Sequence, residues 1–271
     1  MRIKDLFCMG SGFPYPGDTM ESSRQVRESL DRLMAGGGYT VRQLSQALGE
    51  TALAFDPGTH WKYGFSHDIL GALIEVLSGK SFGAFLHDEI FEPLGMPDTF
   101  FRVPKEKRPR LCTWYERSPE GEMSRCEDRD EHIQPEARFE SGGGGLVSTL
   151  GDYTRFAQTL TCGGELRGVR ILGRKTIALM ASNHLTPQQL ADFDWPQNAG
   201  YGYGLGVKVM IDPQAGGCNG SQGEFGWSGL LGTWVMMDPI ERLSAVYMQQ
   251  MLPNLEGYHQ PRLRGVIYGS L

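Results

Sequence analysis

With 271 residues, 40% of them hydrophobic and 21% charged, the chain can bury a substantial core as one large domain or two intimate subdomains. A formal net charge of −6 argues against nucleic acid as a partner, because phosphate binding needs a basic face. No apolar run approaches the ~20 residues of a membrane span. The opening Met1-Arg2-Ile3-Lys4-Asp5-Leu6 lacks the apolar stretch of a secretory signal, so with Met1 as the true start the expected address is the cytoplasm.

The first half reads as helices separated by glycine and proline. Ser22 with Gln25 forms a capping-box pattern ahead of Val26, Leu30, Leu33 and Met34, and Gly36-Gly37-Gly38 ends the run. Thr40 with Gln43 repeats the pattern before Val41, Leu44 and Leu48. Ser66 opens the strongest helix, with Asp68 in its first turn, an apolar face of Ile69, Leu70, Leu73, Ile74 and Leu77, and Gly79 as terminator. A further helix follows Ser81 and stops near Pro93. Residues 102–138 mix charges of both signs with proline, which predicts a solvated excursion with a hairpin around Leu111 to Tyr115. The run Gly142 to Gly145 precedes a helical face of Tyr153, Phe156, Ala157 and Leu160; no Gly-Lys-Ser/Thr follows it, so close backbone packing is expected there rather than phosphate binding.

After residue 200 the period changes to two. Tyr201, Tyr203, Leu205, Val207 and Val209 alternate with Gly202, Gly204, Gly206 and Lys208 as one half-buried strand, and Leu230 to Met237 and Leu243 to Gln249 predict two more, joined by a turn at Asp238 to Arg242. Helices first and adjacent antiparallel strands last make an α+β protein. The expected organisation is a single domain over 1–271, mostly helical over 1–200, with strands and a last helix over 201–271. Cys8, Cys112, Cys126, Cys162 and Cys218 are scattered and odd in number. Reduced thiols are expected, with a Cys112–Cys126 bridge across a hairpin as the alternative. The six histidines show no metal-ligand spacing, so neither metal nor cofactor is expected.

Two segments carry chemistry. Pro57-Gly58-Thr59-His60-Trp61-Lys62-Tyr63 is followed by Asp68, Leu70, Gly71 and Phe91-Glu92-Pro93-Leu94-Gly95-Met96. Far downstream comes Gly226-Trp227-Ser228-Gly229-Leu230, continued by Gly232-Thr233-Trp234 and Met237-Asp238-Pro239. Taken alone, Tyr63 beside Trp61 is an aromatic packed in a core, and the glycine-bearing strand is an edge strand with a packing Trp. In this order, the two segments resemble the second and third active-site motifs of the serine hydrolases that include class C β-lactamases, penicillin-binding proteins and related carboxylesterases. The likeness extends over nearly the whole chain, from Ile3 to Pro14 through Gly143 to Thr149 and Gly164-Glu165-Leu166.

The resemblance implies a β-lactamase-like fold, a helical subdomain packed on an antiparallel sheet, and cofactor-free acyl-enzyme chemistry on an ester or amide. It makes Tyr63 the proton shuttle and Trp227, Ser228, Gly229 and Leu230 the substrate-side strand, with the Leu230 N–H as an oxyanion donor. A phenol with an ordinary pKa near ~10 serves as a base only beside a cation. In the family that cation is the lysine of Ser-x-x-Lys, which also supplies the nucleophile. Here the residues three places before Lys62, Lys80, Lys105, Lys107, Lys175 and Lys208 are Thr59, Leu77, Arg102, Pro104, Leu172 and Leu205, and none precedes Lys4.

The family's N-terminal strands and nucleophile helix therefore have no counterpart in these residues. Ser228, Ser11 and Cys8 offer no replacement nucleophile pattern. Phe65 stands where β-lactamases often carry an amide, which weakens β-lactam recognition. Three readings follow: a hydrolase inactive as this chain, a non-catalytic ligand-binding relative, or a fragment that needs a complementary polypeptide. The expected partners are a small-molecule ester or amide and, through a sheet edge left open near Tyr201 to Met210 or Leu243 to Gln249, further copies of the chain.

Overall fold

The computed structural model describes residues 1–126 and 136–271; the charged run at 127–131 lies outside them. Helices α1 (Ile3–Phe7), α2 (Glu21–Ala35), α3 (Val41–Leu48) and α4 (Ser66–Ser78) come first. A core of Phe13, Val26, Leu44, Leu48 and Phe65 lies among them. Thr40 caps α3 reciprocally: its Oγ1 accepts the Gln43 N–H at 3.3 Å while Gln43 Oε1 accepts the Thr40 N–H at 2.9 Å.

The other two expected caps differ. α2 begins at Glu21 with Met20 at the N-cap, so Ser22 and Ser23 lie inside the first turn and face the interior. Gln25 accepts the N–H of Ala52 at 2.7 Å instead of closing a box. α4 has Phe65 at its N-cap, and the Ser66 hydroxyl is spent on Ser11, Oγ to Oγ 2.7 Å, in full burial. A buried hydroxyl takes the partner that packing brings to it, whatever its position in the helix.

Ser81 caps α5 (Phe82–Leu86), which continues through a π-helical turn, His87–Phe91, into α6 (Glu92–Leu94) and ends at Gly95 with φ 64°. The hairpin of the polar excursion starts at the residue where it was expected to end: β1 (Tyr115–Arg117) pairs antiparallel with β2 (Met123–Arg125). Next come α7 (Leu150–Thr161), the short pair β3 (Glu165–Leu166) and β4 (Val169–Arg170), α8 (Arg174–Met180) and α9 (Pro187–Asp192). The glycine run does pack by its backbone. A Cβ on Gly142 would lie 2.0 Å from the carbonyl oxygen of His67, at the start of α4.

The remaining strands form a five-stranded antiparallel sheet in sequence order: β5 (Tyr201–Tyr203), β6 (Lys208–Met210), β7 (Phe225–Ser228), β8 (Trp234–Asp238) and β9 (Leu243–Tyr247). The single strand expected over 201–209 is two. Gly204 donates its N–H to the Val207 carbonyl at 2.7 Å, and Gly206, at φ 87°, turns the chain back on itself. Alternate glycines mimic a strand's period while supplying the turn that breaks it. β8 begins at Trp234 rather than Leu230, because the Gly232 N–H closes a turn onto the Gly229 carbonyl at 3.0 Å. The turn at 238–242 forms as expected, with Asp238 Oδ1 accepting the N–H groups of Ile240 at 2.9 Å and Glu241 at 3.1 Å.

The sheet is covered on both faces. Val235 and Met237 pack with Ala157 and Leu160 of α7. Trp234 and Met236, pointing the other way as strand alternation requires, pack with Leu263, Ile267 and Tyr268 of the last helix, α10 (Glu256–Tyr268). Among the described residues the edge beyond β9 is open, since β10 (Met251–Leu252) leaves to pair in parallel with β1. All five cysteines are free, so the Cys112–Cys126 bridge does not form. Among the described residues no single helix is long and apolar enough to cross a membrane.

Candidate active site

The Pro57 to Tyr63 segment is held by the backbone of residues 10–13 and their neighbour Met9. The N–H groups of Gly58, Lys62 and Phe65 donate to the carbonyls of Gly10 at 2.8 Å, Met9 at 3.0 Å and Phe13 at 3.1 Å. The approach is so close that a Cβ on Gly64 would stand 2.0 Å from the Phe13 oxygen. Tyr63 is thereby turned into an aromatic cluster. Its ring stacks on Trp227 at 5.7 Å between centroids and 22° between planes, and meets Tyr15 and Trp195 edge-on at 5.6 Å each. The two motifs that the sequence places far apart thus touch.

The members of the second motif are placed differently from one another. Ser228, ending β7, donates its hydroxyl to Glu256 Oε2 at 2.6 Å. Glu256 also accepts from Gln197 at 2.8 Å and Gln260 at 3.2 Å. A Cβ on Gly229 would lie 2.4 Å from Thr233 Oγ1, so a larger residue there would have to turn that hydroxyl aside. Leu230 sits in the turn and is 71% exposed. Among the described residues no backbone carbonyl takes its N–H.

Burial pushes the pKa of Tyr63 up from its ordinary value. A hydrogen bond from Trp227 works the other way, and the fields of Asp68 and Glu256 add to the rise. The charged neighbours that act on it are acids. Lys62, next in sequence, reaches Asp18 at 2.8 Å instead. Lys208 is buried in β6, donates to the Gln197 carbonyl at 3.3 Å and lies 4.7 Å from the Tyr201 ring centre. Burial lowers its pKa, against the fields of Glu256 and Glu224.

Tyr63 lines a cleft of about 630 Å3 together with Tyr15, Phe55, Trp61 and Trp195. That size suits a small organic molecule. Its lip carries two pairs. One is Lys62 with Asp18, and burial of the carboxylate is outweighed there by the Lys62 ammonium and the Ser23 hydroxyl, which hold Asp18 at about 2. The other is His60 with Asp192, Nδ1 to Oδ2 2.9 Å. Sequence reasoning did not find Tyr15, His60, Asp192, Trp195 or Glu256. His60 lies inside the recognised motif, but its partner is 132 residues away. Elsewhere, His87, Asp88 and Glu92 bring ligand atoms within 4.8 Å of one another, all on exposed residues. Asp88 there is already paired with Lys80 at 2.8 Å.

The family model for β-lactamase matches residues 1–265. The chain belongs to the β-lactamase family. An uncharacterized protein of Mycobacterium tuberculosis is 30% identical over 258 residues, covering 93% of this chain and 63% of its own length. Esterase EstB of Burkholderia gladioli is 25% identical over 248 residues, covering 80% of this chain and 58% of its own. The chain thus spans about 60% of the length of these β-lactamase-family relatives. Among solved structures, EstCE1, a hydrolase with promiscuous acyltransferase activity, superposes with a TM-score of 0.84 at 23% identity over 99% of this chain and 72% of that one. Simvastatin synthase (LovD) from Aspergillus terreus gives 0.78 at 21% over 98% and 68%. These likenesses establish the β-lactamase-like α+β fold.

Proposed function

We propose that residues 1–271 form the substrate-binding and proton-shuttling part of a serine hydrolase that cleaves an ester or amide through an acyl-enzyme, and that they do not turn over substrate by themselves. The observation that carries this reading is the meeting of Tyr63 with the Trp227-Ser228 strand at the wall of the cleft. When a serine attacks the carbonyl, its proton passes through the Tyr63 oxygen to the leaving alcohol or amine. The Leu230 N–H is one donor to the oxyanion, and the serine's own N–H is the other. Water, or a second alcohol, then takes the acyl group.

Esters fit better than β-lactams. Trp227 and Phe65 stand where β-lactam enzymes place a cation and an amide, and Lys62 is neutralised by Asp18. Residues 1–271 are read as one domain, mostly helical over 1–200. The nucleophile and the cation that Tyr63 needs come from a polypeptide segment carrying Ser-x-x-Lys, whether continuous with this chain or separate.

Incubating the 271-residue chain with a fluorophosphonate should give no stoichiometric serine adduct by mass spectrometry; such an adduct would overturn the proposal. In a longer polypeptide with Ser-x-x-Lys ahead of residue 1, ester hydrolysis should appear. Tyr63→Phe should then lower kcat by about 100-fold or more. An unchanged kcat would return Tyr63 to a packing role.

A further inference from the structure

His60 and Asp192 form a second polar device in the cleft, one that the proton shuttle does not use. Asp192 Oδ2 accepts the Trp61 N–H at 2.9 Å as well as the His60 contact, and Oδ1 accepts from Gln188 at 3.1 Å. A carboxylate only accepts, so the proton on the shared line belongs to Nδ1 of His60. In the neutral ring Nε2 is then a lone-pair acceptor. Among the described residues no protein group partners it. Phe55 lies against the imidazole at 5.5 Å, and the main chain at residue 60 is tied by Gln189 donating to its carbonyl at 3.3 Å. The acceptor is therefore fixed in direction while the ring keeps 46% of its side-chain surface open.

The cleft's other features narrow the ligand. Its lysine is matched by Asp18, so among the described lining residues no unpaired ammonium or guanidinium waits for a carboxylate or phosphate. The walls are ring faces and edges: Trp195 meets Trp61 at 5.5 Å and 82°, and meets Tyr63 at 5.6 Å and 69°. Such walls suit a flat, neutral ring.

We propose that the cleft is a site for an aryl alcohol. The aromatic ring lies against Trp195 and Tyr63, and its hydroxyl donates to Nε2 of His60, which Asp192 holds in place. This deepens the hydrolase reading by naming the free alcohol that its ester releases or that takes the acyl group in place of water, since the same oxygen in the ester has no proton to donate. It rests on that reading only in placing substrate in this cleft. His60 and Asp192 are positioning residues for that alcohol.

Calorimetry on the 271-residue chain tests this with three probes: 2-naphthol, 2-methoxynaphthalene and decahydro-2-naphthol. The naphthol should bind about five- to tenfold more tightly than its methyl ether, the effect of one added hydrogen bond, and more tightly than the saturated alcohol. His60→Phe keeps a ring beside Phe55 and should bring the naphthol-to-ether ratio to about one while the ether still binds. Long-range proton–nitrogen NMR of the unaltered protein should show His60 as the Nδ1–H tautomer, with Nε2 shifting on naphthol addition and not on ether addition. Absence of naphthol binding, a ratio unaffected by His60→Phe, equal binding of the saturated alcohol, or an Nε2–H tautomer would each overturn the proposal. Binding reads no acyl transfer, so none of these results bears on Tyr63, and the fate of Tyr63→Phe does not bear on them.

Discussion

Tyr63 is a phenol packed among rings, where burial and the fields of two acids outweigh the Trp227 hydrogen bond and keep its proton on. Such a group donates hydrogen bonds well and accepts protons badly. An ammonium placed against its oxygen would reverse that order, which is why the missing lysine matters more to this residue than to the fold. Asp192 shows the opposite balance. Burial pushes its carboxyl up, but the Trp61 N–H, Gln188 and His60 together hold it below the usual carboxylate range. A carboxyl with a depressed folded pKa binds protons less readily when folded. Its contribution is therefore present above the unfolded value of ~3.9 and is lost as pH falls through the folded one. Asp192→Asn should cost about 1.5–3 kcal/mol at pH 7, the range for hydrogen bonds to a charged group. The side chain is 22% exposed, which favours the lower figure. Urea melts at pH 7 and pH 3 should show the gap between the two proteins closing at the acid end. A gap that stays constant would show that the charge of Asp192 is not what holds α9 to the motif.

Among the elements, the pairing of β7 with β8 decides where the aromatic cluster sits. Gly226 faces Met236 in that ladder, and a Cβ on it would lie 2.1 Å from the Val235 carbonyl oxygen. Gly226→Ala must push the two strands apart, and Trp227 moves with them. The expected loss is about 2–3 kcal/mol, in the range for overpacked interiors, with a weakened near-ultraviolet circular dichroism signal from the Trp227–Tyr63 stack. Gly257, near the start of α10, has open space where a Cβ would go. Gly257→Ala should leave stability unchanged or raise it by up to about 1 kcal/mol. Thermal melts of the two variants side by side separate steric demand from glycine content. A Gly226→Ala protein as stable as the parent would refute the close contact.

The whole molecule leaves one part of its sheet unmatched. α7 and α10 cover the two faces, but among the described residues the outer edge of β9, Leu243–Tyr247, pairs with nothing beyond β8. An open edge is a template for another strand. Two copies meeting there would form a closed two-fold contact. Light scattering should therefore show concentration-dependent association of the 271-residue chain, accompanied by binding of the dye ANS to its uncovered apolar surface. A monomeric, ANS-negative protein with one sharp cooperative melt would show that this edge needs no partner.

Much of this is legible in the sequence. The helices-then-strands order, the reciprocal cap at Thr40 and Gln43, the turn at Asp238 to Arg242 and the two motif segments all rest on interactions between residues near one another in the chain. A residue type in its local context carries those. Ser22 and Ser66 look identical to Ser81 in sequence, yet only Ser81 caps, because burial of the first two was decided by what packed against them. The glycine alternation over 201–209 satisfied a strand's period and equally a hairpin's turn, and only the pairing of β5 with β6 chose between them. The cleft is the clearest case. Its motif supplied Tyr63 and Trp227, but the stack between them, the Ser228–Glu256 bond and the His60–Asp192 pair join residues far apart in the chain. Contacts of that kind have no local signature, since they come from the way separate helices and strands settle against one another, and tertiary packing alone created them.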